Sequence, residues 1–291
     1  HLAMFTSDEP KLSIILPSLR VGRARRCVDR IDRWTGDVDY EVVLVAPFKI
    51  DHPRVKYVEE ISPKGSCHAN TQGYLNADGE YVVALADDTY VTPQWASNML
   101  SFMEKEDDSL MIGNFRAFDV TGERTEPGVY GFLYSCFPFI KRKHVAQLGG
   151  FYDTYFHSYY GDPDLSLRTW HYGGRVITCP DAWMEFANIE DEVETNRRAE
   201  HFEQDQELFF QRWHSLYGHK ARSRSFGGIQ LPVKPQIADQ FPALPPEVCC
   251  QIHHAMEQGN SEQVDKLIAG DLSGKCVSEF GLDYLTTNSI A

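Results

Sequence analysis

Apolar residues in this chain follow two rhythms. Short unbroken runs such as LSIILP (Leu12 to Pro17), YEVVLVAP (Tyr40 to Pro47) and EYVVALA (Glu80 to Ala86) are rich in β-branched residues and have the length of strands buried on both faces. RVKYVEE, around Val55 to Val58, adds a shorter strand. Between the runs, apolar positions recur every three or four residues. Ala24, Cys27, Val28, Ile31 and Trp34 form one such stripe; Trp95, Met99, Phe102 and Met103 form another, just behind Pro93. CHANTQGYLNA is a further predicted helix, ending near Gly79. This alternation predicts a mostly parallel sheet covered by helices, with ligands bound in the crevice beyond the carboxyl ends of the strands.

After about Leu110 the pattern changes to strands and turns punctuated by Gly122 and Gly128, followed by a helix from about Lys141 to Leu148. The stretch YYGDPDLSLRTWHYGGRVIT predicts an acidic loop, a helix opening near Pro163, a stop at Gly173 and Gly174, and a strand from Arg175 to Thr178. A long helix from about Ala199 to Leu216 carries Phe202, Phe209, Trp213 and Leu216 on one side. From Arg222 to Pro246 the chain is rich in Pro, Gly and Ser, the composition of a linker or surface strap. Two short helical patterns follow, with Val248, Ile252 and Met256, then Val264, Leu267 and Ile268. That tail is too small to hold a core alone, so it is expected to dock on the main domain or on a second copy of the chain, making a homo-oligomer. The predicted organisation is therefore a tag or unordered start over residues 1–10, one α/β domain over 11–221, a linker over 222–246 and a helical C-terminal extension over 247–291.

Composition narrows the function. With 291 residues, 42% of them hydrophobic, the chain can bury a sizeable core. Lysine and arginine number 28 against 42 acids, and the net charge of -14 offers no bulk attraction to nucleic acid or to an anionic membrane. A polyanionic ligand must be met by a local patch or a metal ion. Seven cysteines without a CxxC pair argue against a disulfide framework or a zinc site and for a reducing compartment. The sequence contains no apolar stretch of about 20 residues and no secretory leader pattern, so a cytoplasmic location is expected.

Two acidic pairs stand where chemistry is expected. Asp87 and Asp88 end the third long apolar run, and hard oxygen ligands at a strand end suit Mn²⁺ or Mg²⁺ bridged to substrate phosphates, although one of them also suits a cap for the following helix. Asp162 and Asp164 flank Pro163 at a predicted helix start, which favours an ionised carboxylate and equally suits an N-cap at Asp162. Arg168, four residues beyond Asp164, reads as an i,i+4 partner that stiffens this helix. Arg20, Arg23, Arg25, Arg26, Arg30 and Arg33 read as a solvated helix face, with Arg20 and Arg23 close enough to a strand end to meet phosphates. Tyr155, Phe156, Tyr159, Tyr160 and Trp183 crowd the second acidic pair and are candidates to stack on sugar faces.

In order along the chain, LSIILPS, ADGEYVVALADDTYVTPQW, KRKHVAQLGGFYD and GDPDLSLRTWHYGGRV resemble the signature segments of glycosyltransferase family 2, inverting enzymes of the GT-A (nucleotide-diphospho-sugar transferase, Rossmann-like) fold. The resemblance covers roughly residues 11–215. It implies that Asp88 is the metal-binding carboxylate, that Asp87 contacts the nucleoside ribose, that Asp162 is the catalytic base, and that Asp164 is a second acid on the same loop; Asp164, with Tyr160 and Trp183 from the aromatic cluster, is then expected at the acceptor site. Three departures stand out. The first acid of a full DxD motif falls at Ala86, the glutamate that usually precedes the base is Gly161, and the second strand ends in Ala46 and Pro47 where the family has acids that hold the nucleobase. Base recognition then falls to backbone near Pro17 and Ser18 or to Lys64, and the third metal position to Glu185 or His201. The implied activity is metal-dependent (Mn²⁺ or Mg²⁺), inverting transfer from a nucleoside-diphosphate sugar, with UDP the commonest choice, to a hydroxyl of a glycan or glycoconjugate, as in polysaccharide biosynthesis. Two rivals are a sugar-1-phosphate nucleotidyltransferase, whose glycine-rich phosphate loop is absent from PSLRVGRARR, and a non-catalytic subunit that binds nucleotide sugar or glycan.

Overall fold

The computed structural model describes residues 10–106, 109–124, 126–130, 132–187 and 191–217; the predicted linker and C-terminal extension, and any oligomer they form, lie outside the described residues. Strand β1 (Leu12–Pro17) leads into helix α1 (Val21–Trp34), and β2 (Tyr40–Ala46) and β3 (Val55–Glu59) precede α2 (Ser66–Leu75). Then come β4 (Tyr81–Ala84), β5 (Thr89–Val91), α3 (Trp95–Lys105) and the long β6 (Met111–Asp119). Four short strands follow: β7 (Gly122–Glu123), β8 (Gly128–Val129), β9 (Phe132–Leu133) and β10 (Phe139–Lys141). Helix α4 (Arg142–Val145), α5 (Gly161–His171), β11 (Arg175–Phe186) and α6 (Glu192–Tyr217) complete the described chain.

The main sheet runs β3-β2-β1-β4-β10-β6-β11-β5. Its first half is parallel, with Ile14 of β1 opposite Val42 and Val83; β10 then enters antiparallel to both neighbours, and β6 and β11 pair in parallel beyond it. Side chains alternate between two hydrophobic clusters. Leu12, Ile14 and Leu16 join Val42, Leu44 and Val83 on one face, while Ile15 joins Val43 and Val82 on the other. Burial on both faces is why these strands read as unbroken apolar runs.

Some element boundaries differ from the expectation. β11 does not stop at Thr178 but continues to Phe186, across a register shift between Cys179 and Trp183. Helix α6 starts at Glu192, well before Ala199, because the Asp191 carboxylate accepts the Glu194 backbone N–H at 2.9 Å. Helix α5 starts at Gly161, with Tyr160 as its left-handed cap (φ 70°), so Asp162 sits in its first turn and is not its N-cap.

Candidate active site

Because β1, β3 and β4 run in parallel, their carboxyl ends open on one side of the sheet, where a cavity of about 570 Å³ is lined by Pro17 to Arg20, by Glu60 and by Ala84 to Asp88. The opposite lining comes from Tyr152, His157 to Tyr159 and Asp162, and from the first turns of α6. This is the crevice that the sheet topology predicts.

The two aspartates after β4 divide the work. Asp87 is buried and held: Ser18 Oγ donates to it at 2.6 Å, and Arg20 donates through Nε at 2.9 Å and Nη2 at 2.6 Å. Arg20 also reaches Asp191 at 3.1 Å, and Arg23 lies 2.8 Å from the same carboxylate. Of these arginines Arg20 lines the cavity, and Arg23, outside the lining, shares its Asp191 partner, so neither belongs to a simple solvated helix face. Asp88 is half-buried, and its carboxylate has no side-chain partner among the described residues. Burial, followed by the neighbouring Asp87 charge, raises its pKa above the usual carboxylate range. An oxygen ligand under that strain, open to a cavity, fits a divalent cation, which would relieve the repulsion. Among the described residues no cluster of three or more His, Cys, Asp or Glu surrounds it, so nucleotide oxygens would have to complete the coordination.

Asp162 faces the cavity from the start of α5. Its carboxyl is packed deep enough that burial pushes its pKa up to about 7, against the helix-terminus effect expected to keep it ionised. At neutral pH it divides between the two forms, the condition in which a carboxylate works best as a base. Gly161 has a steric reason: a Cβ there would come within 2.9 Å of Cys67 Sγ and 3.0 Å of the Tyr152 ring. Helix α5 is seated too closely for the glutamate that usually precedes the base. Gly65, which caps α2 at φ +99°, is pinned in the same way, since a Cβ would lie 2.1 Å from the His157 carbonyl oxygen.

The loop before α5 is shaped from α6. Asp205, 1% exposed, accepts the backbone N–H groups of His157, Ser158 and Tyr159 at 2.8 to 2.9 Å. His201 lines the cavity and stacks on His157, with ring centroids 3.5 Å apart. Tyr159 donates to Glu194, and Glu194 also pairs with Arg197. Of these, His201 and Tyr159 were candidates from the sequence, whereas His157, Glu194, Arg197 and Asp205 were not; the one local signal for Asp205 is its spacing with Phe202 and Phe209 on α6.

Several expected site residues lie elsewhere. Asp164 is fully buried behind the cavity and accepts Arg168 Nε at 2.8 Å, Arg212 Nη1 at 2.9 Å and Trp213 Nε1 at 2.9 Å, which removes it from the acceptor site and makes it the anchor of α5 on α6. The i,i+4 pairing with Arg168 is present within that anchor. Tyr160 is packed against Phe202 and Phe209, and its hydroxyl accepts Gln206 Nε2, so it is core and not acceptor surface. Trp183 lies on β11 under Arg116, away from the cavity lining. Glu185 is on the same strand and pairs with Arg30 at 2.9 Å, so of the two candidates for a third metal ligand only His201 reaches the cavity. Lys64 is exposed and outside the lining, whereas Pro17 and Ser18 are within it.

Residues 35–160 match the family model described as Glycosyl transferase family 2, a span that includes Asp87 and Asp88 and ends just short of Asp162. No curated protein matches the sequence. Among solved structures, that of GalNAc-T7 with UDP, GalNAc and Mn²⁺ superposes with a TM-score of 0.58 at 13% identity, over 94% of this chain and 59% of the other. The mannosyltransferase PcManGT from Pyrobaculum calidifontis, in complex with GDP-Man and Mn²⁺, superposes with a TM-score of 0.53 at 17% identity, over 96% of this chain and 79% of the other. This chain thus spans 59% of the length of the first of these structures, and at such identities the likeness is one of fold. Residues 35–160 are thus similar to glycosyl transferase family 2, and the chain has the GT-A fold.

Proposed function

We propose that the protein is a metal-dependent, inverting glycosyltransferase that moves a sugar from a nucleoside-diphosphate sugar to a hydroxyl of a glycan or glycoconjugate. The observation that carries this reading is the convergence in one cavity of an unengaged carboxylate at a strand end, Asp88, and a carboxyl titrating near neutrality, Asp162. The family-2 match over Asp88 and the GT-A neighbours crystallised with nucleotides and Mn²⁺ support it.

In this mechanism Asp162 takes the proton from the acceptor hydroxyl as its oxygen attacks the anomeric carbon. The bond from that carbon to the diphosphate breaks, and the electron pair leaves with the diphosphate. Asp88 would hold the divalent cation, with His201 as a second ligand from α6; when bound, the cation supplies Lewis-acid neutralisation of the leaving diphosphate. Arg20, positioned by Asp87, places a fixed cation in the same wall.

The test is nucleotide binding. UDP or GDP should bind more tightly with Mn²⁺ than with a chelator, by about tenfold or more, and Asp88→Ala should abolish that difference while leaving the metal-independent affinity. Equal affinity with and without metal in the native protein would remove metal dependence from the reading.

A further inference from the structure

The nucleobase-holding acids missing at Ala46 and Pro47 have a spatial substitute. Glu60 directly follows β3, and its backbone N–H donates to the Ala46 carbonyl at 3.0 Å, seating it against the carboxyl end of β2. Its side chain is 9% exposed and lines the cavity at the end shared with Pro17, Ser18 and Pro63. One oxygen is committed: Oε1 lies 3.2 Å from His68 Nδ1. Oε2 has no hydrogen-bond partner among the described residues. A carboxylate this buried is costly unless its oxygens are satisfied, so an unengaged one in a cavity wall is placed for a ligand donor.

We infer that Glu60 reads the nucleobase of the donor by accepting a ring N–H, and so restricts the donor to bases that carry one. This rests on the nucleotide-sugar reading above and adds its base selectivity. A carboxylate can only accept. Uracil and guanine present a ring N–H on their pairing edge, whereas cytosine and adenine present there a ring nitrogen lone pair, which repels a carboxylate, and can offer it only their exocyclic amine. His68 fixes the carboxylate through Oε1 and leaves a single acceptor for a single ring donor. Selectivity of this kind works as much by rejecting the wrong partner as by holding the right one. Lys64, the side chain that the sequence offered for this task, is exposed and off the cavity.

The experiment measures equilibrium binding of UDP, GDP, CDP and ADP to the full chain in Mn²⁺, for the native protein and for Glu60→Gln, with N3-methyl-UDP and N1-methyl-GDP added for the native protein. UDP or GDP should bind about tenfold or more tighter than CDP and ADP, and which of the two leads identifies the base. Methylating the ring nitrogen of the preferred nucleotide should cost about tenfold on the untouched native fold. Glu60→Gln, whose amide both donates and accepts, should bring the four nucleotides to within about threefold of one another. Native preference for CDP or ADP, unchanged selectivity in a folded Glu60→Gln, or a methylated nucleotide bound as tightly as its parent would each overturn the inference. Failure of the native protein to bind any of the four would overturn the donor reading itself, and this inference with it.

Discussion

Asp162 and Asp88 are both raised above the ordinary carboxylate range by burial, but they are raised for different ends. Asp88 has the Asp87 charge beside it and an opening to the cavity, which suits a cation. For Asp162 burial is opposed only by a hydrogen bond from its own backbone, which leaves a neutral-range base. If it is the base, kcat/KM for transfer should rise with pH through an apparent pKa near 7 and level off above it, because only the ionised form accepts the proton. Asp162→Asn should keep nucleotide binding, slow transfer by about 10² to 10⁴, and lose that pH dependence. Native-like transfer by the Asn variant would remove Asp162 from the base role. Both carboxylates stood out in the sequence because strand-end and helix-start acids are local features. Glu60 did not, because only the hydrogen bond between neighbouring strands brings it to Ala46.

At the scale of elements, α5 and α6 form a unit whose logic is mostly non-local. GDPD supplies two acids in one helical turn, and nothing in that turn says which faces the cleft. The choice is made by Arg212 and Trp213, which reach Asp164 from α6 and fix the rotation of α5. Arg168 completes the anchor by donating to the carbonyls of Leu148, Gly150 and Phe151 as well. Asp164→Asn should therefore act on stability, lowering it by about 3 kcal/mol, since it leaves the buried Arg168 without a counter-charge and Arg212 with Asp153 alone. Denaturant unfolding checks the loss, and nucleotide affinity of the remaining folded fraction should be native. A variant of normal stability that had lost transfer alone would return Asp164 to the acceptor site. The start of α6 has a local signal in the capping-box spacing of Asp191 and Glu194, but its first turns are polar and exposed, and the apolar periodicity that placed the expected start near Ala199 begins only near Phe202.

For the whole molecule, the alternation of buried runs and amphipathic helices was enough to predict a parallel sheet with a crevice at its strand ends, since each βαβ step is local in sequence. What it could not give is the second half of the sheet, where the antiparallel β10 separates β4 from β6, and β11 runs on past its register shift. That extension carries Trp183 and Glu185 along a strand and away from the cavity, which overturned two site expectations together.

The same architecture that buries Asp162 makes stability depend on pH. Its native pKa of about 7 lies above the ordinary value of 3.8, so between those limits the folded state holds a proton that the unfolded chain releases. Stability from this group is therefore fully present below about pH 4, falls as pH rises through the window, and is flat beyond it. The whole shift corresponds to about 4 kcal/mol, and because the carboxyl keeps access to the cavity about half of that is expected to survive solvent screening. Asp162→Asn cannot ionise and escapes the penalty. Its stability should match the native protein near pH 4 and exceed it by on the order of 2 kcal/mol at pH 8, as read from paired denaturant titrations. A stability difference independent of pH would mean that Asp162 titrates as an ordinary surface carboxylate, and its role as a near-neutral base would fall with that result.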